Sequence, residues 1–262
     1  MKMRMGAVVA AIALLGSAAG SAGAQEQIWD PPANVTFQIQ LQGEVDTSYE
    51  ADVYEVDLFD VGTDVVEELH AAGRSVVCYA NAGAWERWRP DKDDFPKKVL
   101  GKRLEGWPGE RWLDVRKVDI LRTIMGKRLD LCAEKGFDAV DFDNINGYQN
   151  PTGFPLKRRH QVAYDKMLAE IAHERGLAIG LKNVPELVDD LEPVYDFVVN
   201  ESCYDYNECG PYKRFVDNDK PVFILEYEME RSRFCDKAEA SGFIAQRKRL
   251  SLKAWRKACW DD

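Results

Sequence analysis

Strand-like runs alternating with helical ones constrain this chain more than any other feature. Val35 to Leu41, Val53 to Leu58, Ser75 to Ala80, Phe137 to Phe142, Ala178 to Lys182, Phe197 to Asn200, Pro221 to Leu225 and Phe243 to Ala245 read as eight strands of unequal clarity. Helical patterns lie between most of them, at Thr63 to Ala72, Val115 to Glu134, Lys157 to Arg175 and Pro185 to Leu191, with a last one from Leu252 to Cys259. Gly73, Gly136 and Gly176 each follow a helix and precede a strand, where a left-handed cap is expected. The alternation predicts the α/β class with a parallel sheet. Eight strand–helix steps in roughly 240 residues fit a (β/α)8 TIM barrel better than an open doubly wound sheet. The phosphate loops of a nucleotide-binding sheet, GxGxxG or GxxxxGK[ST], do not occur.

The start of the chain stands outside this pattern. Lys2 and Arg4 form a charged opening, Ala7 to Leu15 an apolar centre, and Ala22-Gly23-Ala24 a small-residue cleavage site. Together they predict a secretory signal peptide over residues 1–24, followed by a single domain over 25–262. The apolar run falls short of the ~20 residues that span a bilayer, so no membrane anchor is expected. The destination is the periplasm or the cell exterior. The signal carries two of the 35 basic residues and none of the 45 acidic ones, which leaves the mature chain a formal charge of −12. Such a surface repels nucleic acid and anionic membrane and favours a cationic ligand. Export makes disulfides plausible for the six cysteines, which allow 15 complete pairings. Cys203, Cys209 and Cys235 sit in late loops and are the better candidates, whereas Cys78 and Cys132 also read as ordinary buried thiols. No CxxC occurs, and His70, His160 and His173 lack ligand spacing, so neither metal nor cofactor is expected.

In a barrel, function belongs at the C-terminal ends of the strands. The fourth run, FDAVDFDNINGY, rises into Asp141 and Asp143, which share one strand face because side chains alternate with period 2. An isolated pair of this kind is usually a loop cap; what changes its meaning is company at the other strand ends. The second run supplies Asp57 and Asp60, and the third Tyr79, Asn81, Trp85 and Glu86, with Trp107 and Trp112 in the loop beyond. Asn144 follows the fourth, Lys182 and Asn183 end the fifth, Asn200, Glu201, Tyr204 and Glu208 the sixth, and Glu226 and Tyr227 the seventh. Carboxylates, amides, a lysine and aromatic rings converging on one rim predict a pocket for a hydroxyl-rich ring, which is a sugar site.

These runs, IWDPP, YEVDLFD, VVCYANAGAWE, WPGERWLDVR, AVDFDNINGY, IGLKN, VNESCYDYNEC and VFILEY, occur in an order and spacing that resemble glycoside hydrolase family 114, the endo-α-1,4-polygalactosaminidase family. The resemblance spans nearly the whole mature chain. It implies an exported (β/α)8 enzyme that cleaves internal α-1,4 bonds in galactosamine-rich polysaccharide, a cationic galactosaminoglycan among its possible partners. The family's two catalytic acids carry over onto Asp143 and Glu201. Departures from the family pattern, such as Asn146 and Val184 where acids are common, touch neither.

Glycoside hydrolysis needs two carboxyl groups flanking the glycosidic oxygen. By analogy with other retaining barrel glycosidases, Asp143 is read as the nucleophile and Glu201 as the general acid and base, with burial beside Tyr204 expected to favour the neutral form of Glu201. Asp141 is read as a support for its neighbours. Asp57, Tyr79, Asn144, Lys182, Asn183, Tyr204, Glu226 and Tyr227 are the expected substrate contacts. Lys182 also reads as an ion-pair partner of the carboxylates. Trp85, Trp107 and Trp112 are candidates for stacking on a sugar face or for core packing, and Trp29, Trp255 and Trp260 for packing alone. Two rivals use the same residues differently: a glycosyltransferase with Asp141 and Asp143 as a metal clamp, and a non-catalytic polysaccharide-binding barrel, whose mark is the loss of one acid.

Overall fold

Along eight parallel strands, inward and outward side chains alternate, and that alternation separates two cores. The computed structural model describes residues 28–261, so the signal segment lies outside it. The parallel strands are β1 (Phe37–Gln40), β2 (Val53–Asp57), β3 (Ser75–Asn81), β7 (Ala139–Asp143), β8 (Ala178–Lys182), β9 (Phe197–Glu201), β10 (Val222–Glu226) and β11 (Ile244–Lys248), hydrogen-bonded in that order. Each of the eight runs read from the sequence overlaps one of them, with five ending one to three residues short of the strand's end. Helices α1 (Thr63–Ala71), α2 (Val118–Glu134), α3 (Arg158–His173), α4 (Val188–Leu191), α5 (Lys213–Val216) and α6 (Cys235–Ser241) connect them on the outside. The result is a nearly closed (β/α)8 barrel.

Outward residues such as Tyr54, Val56, Val140, Phe142 and Ile179 pack against the helices. Inward ones fill the barrel floor, where Phe37 and Phe223 stack at 4.2 Å and Phe197 meets Phe223 edge-on. Gly180 is required here: a Cβ would lie 2.4 Å from the Phe197 ring. Above this apolar floor the inward positions turn polar, with Glu55, Asp141 and Gln246 wholly buried, and then charged at the strand ends.

Two segments differ from expectation. The last window, Leu252 to Cys259, is not a helix; it runs extended and forms β12 (Arg256–Ala258), antiparallel to β11. Its work is to fill the gap between β11 and β1. The Leu41 N–H donates to the Leu252 carbonyl at 2.9 Å, Arg256 donates to the Phe37 carbonyl at 2.8 Å, and Gln38 donates to the Ala254 carbonyl at 2.8 Å. Tertiary partners for otherwise unmet strand groups outweigh the local propensity of eight residues. The loop after β3 holds a small antiparallel sheet of β4 (Ala84–Glu86), β5 (Leu100–Arg103) and β6 (Glu110–Leu113), which forms a wall beside the barrel mouth.

All six cysteines are paired, as Cys78–Cys132, Cys203–Cys209 and Cys235–Cys259. Cys78 and Cys132 are therefore not buried free thiols. Their bond staples α2 to β3, and closing a loop of 54 residues restricts the unfolded chain by about 4 kcal/mol in the chain-entropy picture.

Candidate active site

One buried ammonium organises the mouth of the barrel. Lys182 ends β8 with 2% of its side chain exposed, and its Nζ lies 3.5 Å from Asp141 Oδ2, 3.5 Å from Asp143 Oδ1 and 3.6 Å from Glu201 Oε2. It also sits 5.3 Å above the centre of the Tyr79 ring. Burial alone works against the charged lysine, but Asp143, Glu201 and Asp141 outweigh it and hold the ammonium well above its ordinary range.

Each of the two proposed catalytic acids has its own set of donors. Asp143 accepts from the Tyr79 hydroxyl at 2.8 Å and from the Asn144 N–H at 2.7 Å. Its carbonyl is held by the N–H groups of Ala82 and Gly83, a close approach that only glycine permits, since a Cβ on Gly83 would lie 1.7 Å from the Asn144 oxygen. Glu201 accepts from the Tyr227 hydroxyl and from Asn183 Nδ2 at 3.3 Å, while Asn183 Oδ1 takes the Glu201 N–H at 2.8 Å. The residues that follow these charged groups, Asn144, Asn183 and Ser202, have φ of 61°, 55° and 66°. Val184 joins them at 55°, a costly value for a β-branched side chain. Strained backbone collected at three neighbouring strand ends is a mark of functional sites.

Beneath this layer, Glu55 and Asp141 are fully buried, and apart from the Lys182 ammonium 3.5 Å from Asp141 Oδ2 their four oxygens meet no donor among the described residues. The two carboxyl groups instead contact each other. Burial, reinforced by Asp141, pushes Glu55 well above the carboxylate range despite Lys182. Burial raises Asp141 to about 7 against the pull of Lys182, with Asp143 and Glu201 adding to the rise. One proton therefore lies between the pair, as in other closely placed carboxyls. The raised Glu55 binds a proton in the fold that it loses in the unfolded chain above pH ~4.3, so its contribution to stability is full below that pH and is lost as pH climbs through the folded value. Glu55→Gln supplies a donor to Asp141 without needing that proton. The melting temperature of the variant relative to the parent should rise steadily from pH 5 to pH 8; a gap that stays constant or shrinks would place no proton on Glu55.

A cleft of about 380 Å³ opens over the two acids. Of the expected site residues, Asp57, Tyr79, Asp143, Asn144, Lys182, Asn183 and Glu201 line it. Asp57 is not free for a ligand cation, because Arg89 grips both its oxygens at 2.7 and 2.5 Å and also binds Glu86 at 2.9 Å. Tyr227 reaches the site through Glu201, and Asp141 lies below it. Four expected contacts are elsewhere. Trp112 is buried against Ala84 and Leu104 under the small sheet, and the Trp85 indole donates to the Lys92 carbonyl. Tyr204 stacks on Phe234, away from Glu201, and Glu226 is buried accepting the Tyr204 N–H. The sequence does not tell which face of a rim loop turns inward, and in these four it is the core-facing side. Trp107, a stacking candidate from the sequence, lines the cleft too; unforeseen there are Trp88, Arg89 and Glu110, all borne by the same wall after β3.

A larger hollow of about 860 Å³ lies at the opposite end of the strands, lined by Thr36, Asp52, Arg74 and Arg256. These groups are already engaged: Asp52 with Thr36, Arg74 with the Thr47 carbonyl, and Arg256 with the Phe37 and Glu50 carbonyls. The candidate site is therefore the smaller cleft, which gathers the expected acids.

Comparison with known proteins adds independent findings. The model of glycoside-hydrolase family GH114 matches residues 18–262. The crystal structure of Aspergillus fumigatus Ega3 in complex with galactosamine is 38% identical and superposes with a TM-score of 0.85, covering 89% of this chain and 98% of that one. The glycoside hydrolase domain of PelA from Pseudomonas aeruginosa shares the fold at 13% identity, with a TM-score of 0.66 and coverage of 86% and 98%. An uncharacterized protein of Deinococcus radiodurans is 30% identical over 203 residues, 66% of this chain; the match spans 64% of that relative's length.

Proposed function

The chain belongs to glycoside-hydrolase family GH114, and from that premise we propose that it is an exported enzyme hydrolysing internal α-1,4 bonds in galactosamine-rich polysaccharide. The observation that carries this reading is the pair Asp143 and Glu201, gathered by one lysine at the mouth of a barrel whose relative Ega3 was crystallised with galactosamine. A signal-like start and three disulfides support export.

The reaction follows from the two carboxyls. Asp143 attacks the anomeric carbon as Glu201 gives a proton to the departing glycosidic oxygen, leaving a glycosyl ester on Asp143. Glu201, now ionised, takes a proton from water as that water attacks the anomeric carbon from the face the leaving group vacated, displacing Asp143 and giving net retention. Lys182 balances the charge that shifts between the two acids, while Asn183 and Tyr227 hold Glu201 in register. An open cleft suits entry of an internal stretch of chain.

Distance supports retention of configuration. Oxygens that share one ammonium at 3.5 and 3.6 Å are at most about 7 Å apart, which accommodates the ~5–5.5 Å of retaining enzymes and leaves out most of the ~6.5–9.5 Å of inverting ones. Proton NMR of the first product from an α-linked oligomer should show the α-anomer, followed by mutarotation. Initial release of the β-anomer would mean inversion and would recast Asp143 as a base acting through water.

A further inference from the structure

Six acids line the cleft, and five of them have a cation. Asp57, Asp60 and Glu86 share Arg89, and Asp143 and Glu201 share Lys182. Glu110 is the sixth. It stands first in β6, directly across the strand pairing from Glu86, with 6% of its surface exposed. Among the described residues no lysine, arginine or histidine pairs with it, and its side chain receives one long contact, from Asn81 Nδ2 at 3.5 Å.

A desolvated carboxyl beside like charges lowers stability unless something completes it. Burial, Glu86 and Asp143 together push Glu110 up to about 8, and Arg89, occupied by Asp57 and Glu86, offsets only part of this. At neutral pH the group therefore holds a proton. Trp88 and Trp107, each about half exposed, stand in the same wall and offer flat apolar faces to a pyranose ring. A cleft that offers ring-stacking surface next to one unanswered acid is built for a sugar bearing a positive charge.

We propose that Glu110 is the counter-ion for the ammonium group of an amino-sugar unit, in a subsite walled by Trp88 and Trp107. This rests on the galactosamine reading above and names the residue that distinguishes free-amine units from N-acetylated ones. The proton balance is explicit: the Glu110 carboxylic acid gives its proton to solvent as the sugar ammonium arrives, and the ion pair replaces the neutral acid. An N-acetyl unit has no charge to offer and leaves the proton in place.

Calorimetry on the full chain tests this, with Glu201→Gln as background so that oligomers stay intact. Galactosamine and N-acetylgalactosamine trimers are titrated at pH 7 in phosphate and in Tris, whose ionisation enthalpies differ. The amine trimer should release protons on binding, offset by uptake on whatever fraction of its amines is neutral in solution, and the N-acetyl trimer none. Adding Glu110→Gln should abolish the release and weaken the amine trimer by about tenfold or more, leave the N-acetyl trimer unchanged, and keep the melting temperature at or above that of the background. Glu110→Asp should retain proton release with intermediate affinity. Unchanged amine affinity and proton count in Glu110→Gln would overturn the assignment while leaving the functional reading intact. Failure of the parent to bind or cleave any galactosamine oligomer would remove both.

Discussion

Replacing Asp143 with Asn or Glu201 with Gln should each lower turnover on α-1,4-galactosamine oligomers at least about 100-fold, the low end for a positioned acid or base. Both substitutions preserve shape and leave few donors stranded: the amide oxygen at position 143 still accepts from the Asn144 N–H, the Tyr79 hydroxyl turns to accept from the amide nitrogen there, and the amide oxygen at position 201 still accepts from Tyr227. Melting temperatures should accordingly change little. The two losses should differ in kind. Without Glu201 no acid protonates the leaving group, so a substrate with an activated aryl leaving group recovers the first step, and azide recovers the second. Without Asp143 no glycosyl ester forms, and neither reagent helps. Near-normal hydrolysis by either variant removes that residue from the mechanism.

Lys182→Met is the second large effect, and it falls on the fold as well as the chemistry. The side chain is 2% exposed, and no other cation lies within salt-bridge distance of Asp141, Asp143 or Glu201 among the described residues. Removing one partner of a buried ion cluster costs about 3–5 kcal/mol, because the remaining charges stay desolvated and face one another. For a domain of this size that lowers the melting temperature by about 10 °C. The deficit should shrink as pH falls, since protonating one acid relieves the repulsion. Thermal melts between pH 4 and pH 8 measure it; a variant as stable as the parent at pH 8 would mean the acids do not depend on this lysine.

Much of this arrangement was legible in the residues themselves. Period-2 alternation and glycine-terminated helices located all eight barrel strands, and strand ends in a barrel point to one mouth, which brought Asp143, Lys182, Asn183 and Glu201 together on paper. Lys182 read correctly as a partner of carboxylates because a lysine beside three acids has one inexpensive role. The wall after β3 was not legible: its strands are three or four residues long, too short for a periodic signal, so of its cleft residues Trp107 was noticed but Trp88 and Glu110 were not. Trp85 and Trp112 looked like stacking platforms because an aromatic residue in a rim loop gives no sign of which side it turns. Glu55 lay unnoticed within an apolar strand, since its role depends on Asp141, 86 positions later, reaching the same point of the barrel interior. The tail followed a helical pattern until the open edges of β1 and β11 claimed it.

The central claim is that this barrel cuts internal galactosamine linkages with Asp143 and Glu201. Its most direct test is mass analysis of products from defined α-1,4-galactosamine oligomers incubated with the parent protein and with Asp143→Asn. The expected result is a series of shorter oligomers from the parent, including internal cleavage products, and intact substrate from the variant. Intact substrate from both, or equal product series from both, would contradict it.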